Sequence, residues 1–135
     1  MSHFARIVCK FKDAEALKDA LAAIGIATVE VHDKPIRVRS YTGQVTANKA
    51  NVLVRRENIG DSAADMGWLT GENSEAWIDE YYNPIVSKHG GLKQFSAKVA
   101  REYSCAVLER AARVRGKTAQ RVTAPDGSVR VFVNA

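Results

Sequence analysis

IRVRSYTGQ, residues 36–44, alternates until its last residues. Successive side chains of an extended strand point to opposite faces, so Ile36 and Val38 share one face while Arg37, Arg39 and Tyr41 share the other. Thr42-Gly43 then marks a turn, and glycine takes there a conformation that other residues adopt only at a cost. A strand that stops at such a turn predicts a returning strand. Ala50 to Arg56 supplies one, with Ala50, Val52 and Val54 on one face. Upstream, Thr28 to His32 reads as a strand with Val29 and Val31 inward, and Lys34-Pro35 as a break before Ile36.

Further out, Phe4 to Phe11 alternates as a half-buried strand, with Ala5, Ile7, Cys9 and Phe11 facing one way. Asp13 stands where a helix N-cap belongs; Leu17, Leu21 and Ile24 follow at helical spacing, and Gly25 ends the run. Residues 57–73 read as loop with a short strand at Met66 to Leu69. Ser74 reads as the cap of a helix through Trp77, Ile78, Tyr81 and Tyr82 that Pro84 limits. After Gly90-Gly91 a longer helix runs from about Leu92 to Arg115, with Leu92, Phe95, Val99, Tyr103, Ala106 and Val107 as its stripe. Lys98–Glu102 and Glu109–Arg113 have i,i+4 spacing on its outer side. Pro125-Asp126-Gly127, between Val122/Ala124 and Val129/Val131/Val133, is a hairpin turn. The expected fold class is α+β: a mainly antiparallel twisted sheet with helices packed on one face and a C-terminal β-hairpin, as a single domain over residues 1–135.

Composition excludes several classes. With 46% apolar residues in 135, the chain has a core to bury and is not disordered. No run is long enough to cross a membrane, and Met1-Ser2-His3-Phe4 leads into a strand pattern rather than a signal segment, so a cytoplasmic protein is expected. Cys9 and Cys105 lie outside any C-x-x-C pair and read as small buried hydrophobes. His3, His32 and His89 have no ligand spacing, so no metal or other cofactor is expected. P-loop, zincin and nucleophile-elbow motifs are absent, which favours a non-enzymatic protein. Asp61, Asp65, Glu72, Glu75, Asp79 and Glu80 form an acidic middle, read as charge complementing a helix start at Ser74 plus a solvated face.

The net charge of +5 favours anionic partners. Arg37, Arg39, Tyr41 and Gln44 are the candidate contact residues: guanidinium forks bind phosphate or carboxylate, and a phenol ring stacks. The same pattern also suits a plain wet sheet face, or arginines paired with acids. A second basic group, Arg55, Arg110, Arg113 and Lys117, is a candidate phosphate strip for nucleic-acid backbone. An unpaired edge of the C-terminal hairpin would allow a homo-oligomer.

Several segments, taken in order, resemble the hypothetical chloroplast reading frame 35 family (domain of unknown function 1257). They are Met1-Ser2-His3-Phe4, the helix DAEALKDALAAIGI, VRSYTGQ, Asp65-Met66-Gly67-Trp68, and the helix through Arg101-Glu102-Tyr103 leading to APDGSVRVFV. Where the family has a Tyr/Leu/Val-rich strand after the Asp-x-Gly-aromatic step, this chain has TGENSEAWIDEYYN, within residues 70–83. The resemblance implies no enzymatic activity. It implies a bacterial, plastid or phage setting and an accessory role beside an AAA-type ATPase. The resulting expectation is a binding or adaptor protein, with sequestration of a small anionic ligand such as a nucleotide as the alternative and nucleic-acid-backbone binding as a further one.

Overall fold

The computed structural model describes residues 4–8, 10–126 and 128–134. Five strands form one antiparallel sheet: β1 (Ala5–Val8), β2 (Glu30–Arg39), β3 (Val45–Val54), β4 (Met66–Leu69) and β5 (Glu75–Ile78), in the spatial order β1-β5-β4-β3-β2. The helices are α1 (Ala14–Ala23), α2 (Pro84–Lys88) and α3 (Leu92–Val114), and a separate ribbon is formed by β6 (Thr118–Thr123) and β7 (Val129–Asn134). The fold is α+β, as expected. Among the described residues no helix is long and apolar enough to cross a membrane. The readings that fell on His3, Cys9 and Gly127 lie outside the described residues, as do the side chains of residues 5–8.

α1 forms because Asp13 Oδ1 accepts from the backbone N–H groups of Glu15 and Ala16, at 3.0 and 3.1 Å, while Leu17 and Leu21 bury one face. α3 lies beside α1 and buries Phe95, Val99, Tyr103 and Ala106 against the same core as Trp68, Ile78 and Val52. The Tyr103 hydroxyl accepts from the N–H groups of Lys12 and Asp13, which joins α3 to the start of α1. Val107, expected in this stripe, is exposed. The expected i,i+4 pairs give way to longer-range ones. Arg121 of β6 sits between Glu102 and Glu109, and Lys98 lies beside His89. The arginine fork carried by the ribbon bonds both acids at once.

Four expectations need correction. Lys34-Pro35 does not interrupt the strand: β2 is continuous, with register shifts between Val31 and Ile36 and between Arg37 and Arg39. Pro35 is tolerated because β2 is an edge strand and its missing N–H falls in a bulge. Ala50 does not share the core of Val52 and Val54; it packs with Val38 and Leu53 on the other face. Residues 75–78 are strand, not helix: Ala76 and Ile78 are buried while Glu75 and Trp77 are half-buried, a period of two. The Ser74 hydroxyl lies 2.7 Å from the carbonyl oxygens of Phe11 and Gly71, and Pro84 opens α2 behind the Asn83 cap. The acidic middle is therefore not a helix start, and Asp65 and Asp79 are buried rather than solvated.

The β2–β3 hairpin curls. Arg39 pairs with Val45 at its tip, and Val54 pairs with Met66 at the far end of β3. A straight strand would hold Val45 and Val54 about 30 Å apart. Yet the Arg39 N–H donates to the Asp65 carboxylate at 2.8 Å, and the Asp65 N–H, next to Met66, donates to the Arg39 carbonyl at 3.0 Å. The distal hairpin is thus folded back over the second face, where Val38, Ala50 and Leu53 form a small cluster with Phe4, Ile36 and Trp77. Gly67 permits the approach: a Cβ there would stand 2.7 Å from Ala50 Cβ and 2.8 Å from Val38 Cγ2. Replacing it, Gly67→Ala, is expected to lower stability by about 1–3 kcal/mol through overpacking, read as a shifted urea midpoint by tryptophan fluorescence. An unchanged midpoint would mean that the hairpin does not press on the sheet.

Candidate functional site

At the point where the curled hairpin meets the sheet stands Asp65, fully buried. Its carboxylate accepts from the backbone N–H of Arg39 at 2.8 Å and of Arg56 at 2.7 Å. The same oxygens meet Arg39 Nε and Nη2 at 3.2 Å and Arg55 Nη1 at 3.3 Å. A buried carboxylate is costly unless its lone pairs are used and its charge is matched, and here both conditions hold.

The acids around this centre complete it. Glu57 takes Arg39 in a two-pronged pair, 2.6 Å on each side, and that hydrogen bonding holds the Glu57 carboxyl at about 2, well below its ordinary 4.5. Glu30 accepts from Arg55 Nε at 2.9 Å and lies 2.8 Å from His32 Nε2; its pKa is lowered, first by the Arg55 bond. Arg56 turns its guanidinium to backbone carbonyls instead, donating to Ala63 and Tyr41 at 2.9 Å. Residues 40–44 are therefore docked against the loop that follows β3. Gly43, at φ 86°, closes this tip under the Arg56 side chain.

The docked tip brings Tyr41 to a surface where two further tyrosines stand. Tyr41 and Tyr82 have ring centroids 6.4 Å apart, and Tyr81 and Tyr82 are equally close. Tyr81 is 55% and Tyr82 66% exposed. Their turn is built by buried groups: Asp79 Oδ1 accepts from the Tyr81 N–H at 2.9 Å, and Asn83 caps α2. Tyr82 has φ 53°, the only positive value at a non-glycine among the described residues. Between this turn and the loop of Gly60, Asp61 and Ser62 lies a shallow depression of about 530 Å³. A cleft of about 460 Å³ beside α3, lined by Phe11, Trp68, Phe95 and Tyr103, is a weaker candidate, because Trp68 and Phe95 are closed to water and belong to the core.

The expected site residues divide accordingly. Arg37 is exposed on β2 opposite Lys49; Arg39 is half-buried and engaged by Asp65 and Glu57. Tyr41 is half-buried beside Tyr82, and Gln44 is exposed, its carbonyl accepting from the Ser40 N–H. The second basic group is split. Arg55 belongs to the Asp65 centre, while Arg110 is held by Asp19 at 2.9 Å against α1. Arg113 and Lys117 are exposed. Sequence reasoning missed Asp65, Glu57, Tyr81 and Tyr82 as members of one corner. The available signal was three arginines, at 39, 55 and 56, which require acids if their strands converge.

Two measurements bear on this centre. Asp65→Ala strands two guanidinium groups and two backbone donors, so a loss of about 3–5 kcal/mol is expected in chemical denaturation. Glu57 and Glu30 have depressed folded-state pKa values, so their contribution is present above the ordinary 4.5 and is lost as pH falls, for Glu57 toward about 2. A carboxyl-carbon NMR titration should place the Glu57 midpoint near 2 and return it toward 4.5 in Arg39→Met; a wild-type midpoint near 4.5 would show that the pair is not formed in solution.

No family model matches the chain, and no curated protein or solved structure does.

Proposed function

We propose that this chain is a non-enzymatic binding or adaptor protein whose contact surface is the corner formed by Tyr41, Tyr81 and Tyr82. The observation that carries this is the gathering of three tyrosine rings beside a turn held by the buried Asp79 and Asn83, two of the rings more than half exposed. Tyrosine is enriched at the energetic centres of protein interfaces, because its ring buries much area at little entropic cost and its hydroxyl tolerates water. A preorganised mount reduces the ordering cost of binding. The resemblance to the chloroplast reading frame 35 family makes an AAA-type ATPase of a bacterial or phage cytoplasm the partner to try first.

The rival readings draw on positive charge. A nucleotide or a phosphate backbone would have to displace Glu57, Asp65 or Glu30 from Arg39 and Arg55, and Asp19 from Arg110. Arg37, Arg113 and Lys117 remain exposed, on different elements. The tyrosine corner is therefore the better supported surface.

Affinity purification from cells of the native setting, assayed for retained ATPase activity, tests the proposal. The wild-type chain is expected to retain that activity, and Tyr81→Ala with Tyr82→Ala to lose it, each ring contributing about tenfold or more in affinity. Arg37→Ala should leave retention intact. Retention that is insensitive to the tyrosines overturns the assignment of the surface. No retained ATPase, with a nucleotide-dependent rise in melting temperature, replaces the proposal with the ligand reading.

A further inference from the structure

The β6–β7 ribbon is a two-stranded sheet of its own, so β7 has one hydrogen-bonded neighbour. The N–H of Ala124 donates to the carbonyl of Ser128 at 2.8 Å, and the register runs from Thr123↔Val129 to Thr118↔Asn134. Antiparallel pairs alternate between bonded and non-bonded positions. Starting from the bonded pair Ala124–Ser128, Arg130, Phe132 and Asn134 direct their backbone groups toward β6. Val129, Val131 and Val133 direct theirs to the opposite edge. Among the described residues no backbone hydrogen bond outside the ribbon reaches that edge.

The edges of the five-stranded sheet are protected. β2 carries Pro35 and two register shifts, and β1 is four residues long. The outer edge of β7 has neither device, and it is flanked by exposed apolar side chains: Phe132 at 50% and Val133 at 47%. Its residue order is also self-complementary. Centred on Val131, the sequence Val129-Arg130-Val131-Phe132-Val133 reads valine in both directions, with arginine on one side and phenylalanine on the other.

We infer that β7 pairs antiparallel with β7 of a second copy of this chain, with the two-fold axis at Val131. Each outward valine then finds bonded partners: Val131 meets Val131, and Val129 meets Val133, in both directions. Arg130 of each copy lies across from Phe132 of the other at the non-bonded positions, where side chains approach most closely and a guanidinium can rest on a ring. The two ribbons become one four-stranded sheet with α3 of each copy beneath it. The contact is isologous and closed, which fits a dimer rather than a fibre.

Sedimentation velocity from low micromolar to millimolar concentration is expected to show a monomer–dimer equilibrium. Phe132→Lys sets like charges opposite each other twice and should weaken the dimer by about tenfold. Phe132→Glu should preserve it, because the new carboxylate meets Arg130 of the second copy. Phe132 is half exposed, so both variants should keep the wild-type circular dichroism. In the wild-type chain, the Val129, Val131 and Val133 amides should exchange more slowly as concentration rises. Equal effects of the two substitutions would overturn the register. A wild-type monomer throughout, or amides indifferent to concentration, would overturn the dimer and leave the edge to a different partner.

Discussion

The Asp65 carboxylate is the constraint on which the rest of the corner depends. It bonds the backbone of Arg39 at the end of β2 and of Arg56 just after β3, and it sits one residue before β4. The end of β2, which a flat sheet would keep away from the β3–β4 junction, is thereby joined to it through one charged group. Backbone donors at such a junction have no ladder partner, and burying them unpaired would be costly. A carboxylate satisfies two of them together and draws in the arginines that neutralise it. The bend of the hairpin, the closeness of Gly67 to Ala50 and the docking of residues 40–44 under Arg56 are parts of the same arrangement.

This arrangement changes the meaning of the chain's basicity. The net charge is +5, yet Arg39, Arg55, Arg110 and Arg121 are each bound to acids, and Arg56 to carbonyls. These side chains serve as cross-links between elements: Arg121 ties the ribbon to α3, and Arg110 ties α3 to α1. Arginine suits this use because its fork bonds two acceptors at once and keeps its charge at any ordinary pH.

Much of the fold was legible because the local signals agreed with the final packing. Asp13 with Leu17 and Leu21, the stripe of α3, and the valines around Pro125-Asp126 each specify their element without long-range help. The errors lie where tertiary context decides. Trp77 and Ile78 fit a helix or a strand equally well over so short a run, and only pairing between β1 and β4 settles them as strand. Pro35 reads as a break unless β2 is known to be an edge. At the candidate site, Arg39 and Tyr41 were visible as an alternating pair. Their different fates were not, since Asp65 and Tyr82 lie 26 and 41 positions away, and nothing local encodes the curl that brings them in.

Tyr82 sits in a left-handed backbone conformation that glycine or asparagine would adopt more cheaply. Its side chain is largely in water and gains little from the fold it burdens. A search for hardier variants would therefore be drawn to this position, and a glycine there would relax the turn while removing one of the three rings. Robustness and recognition are opposed at that one residue, so a sequence optimised only for endurance would tend to lose its grip on a partner.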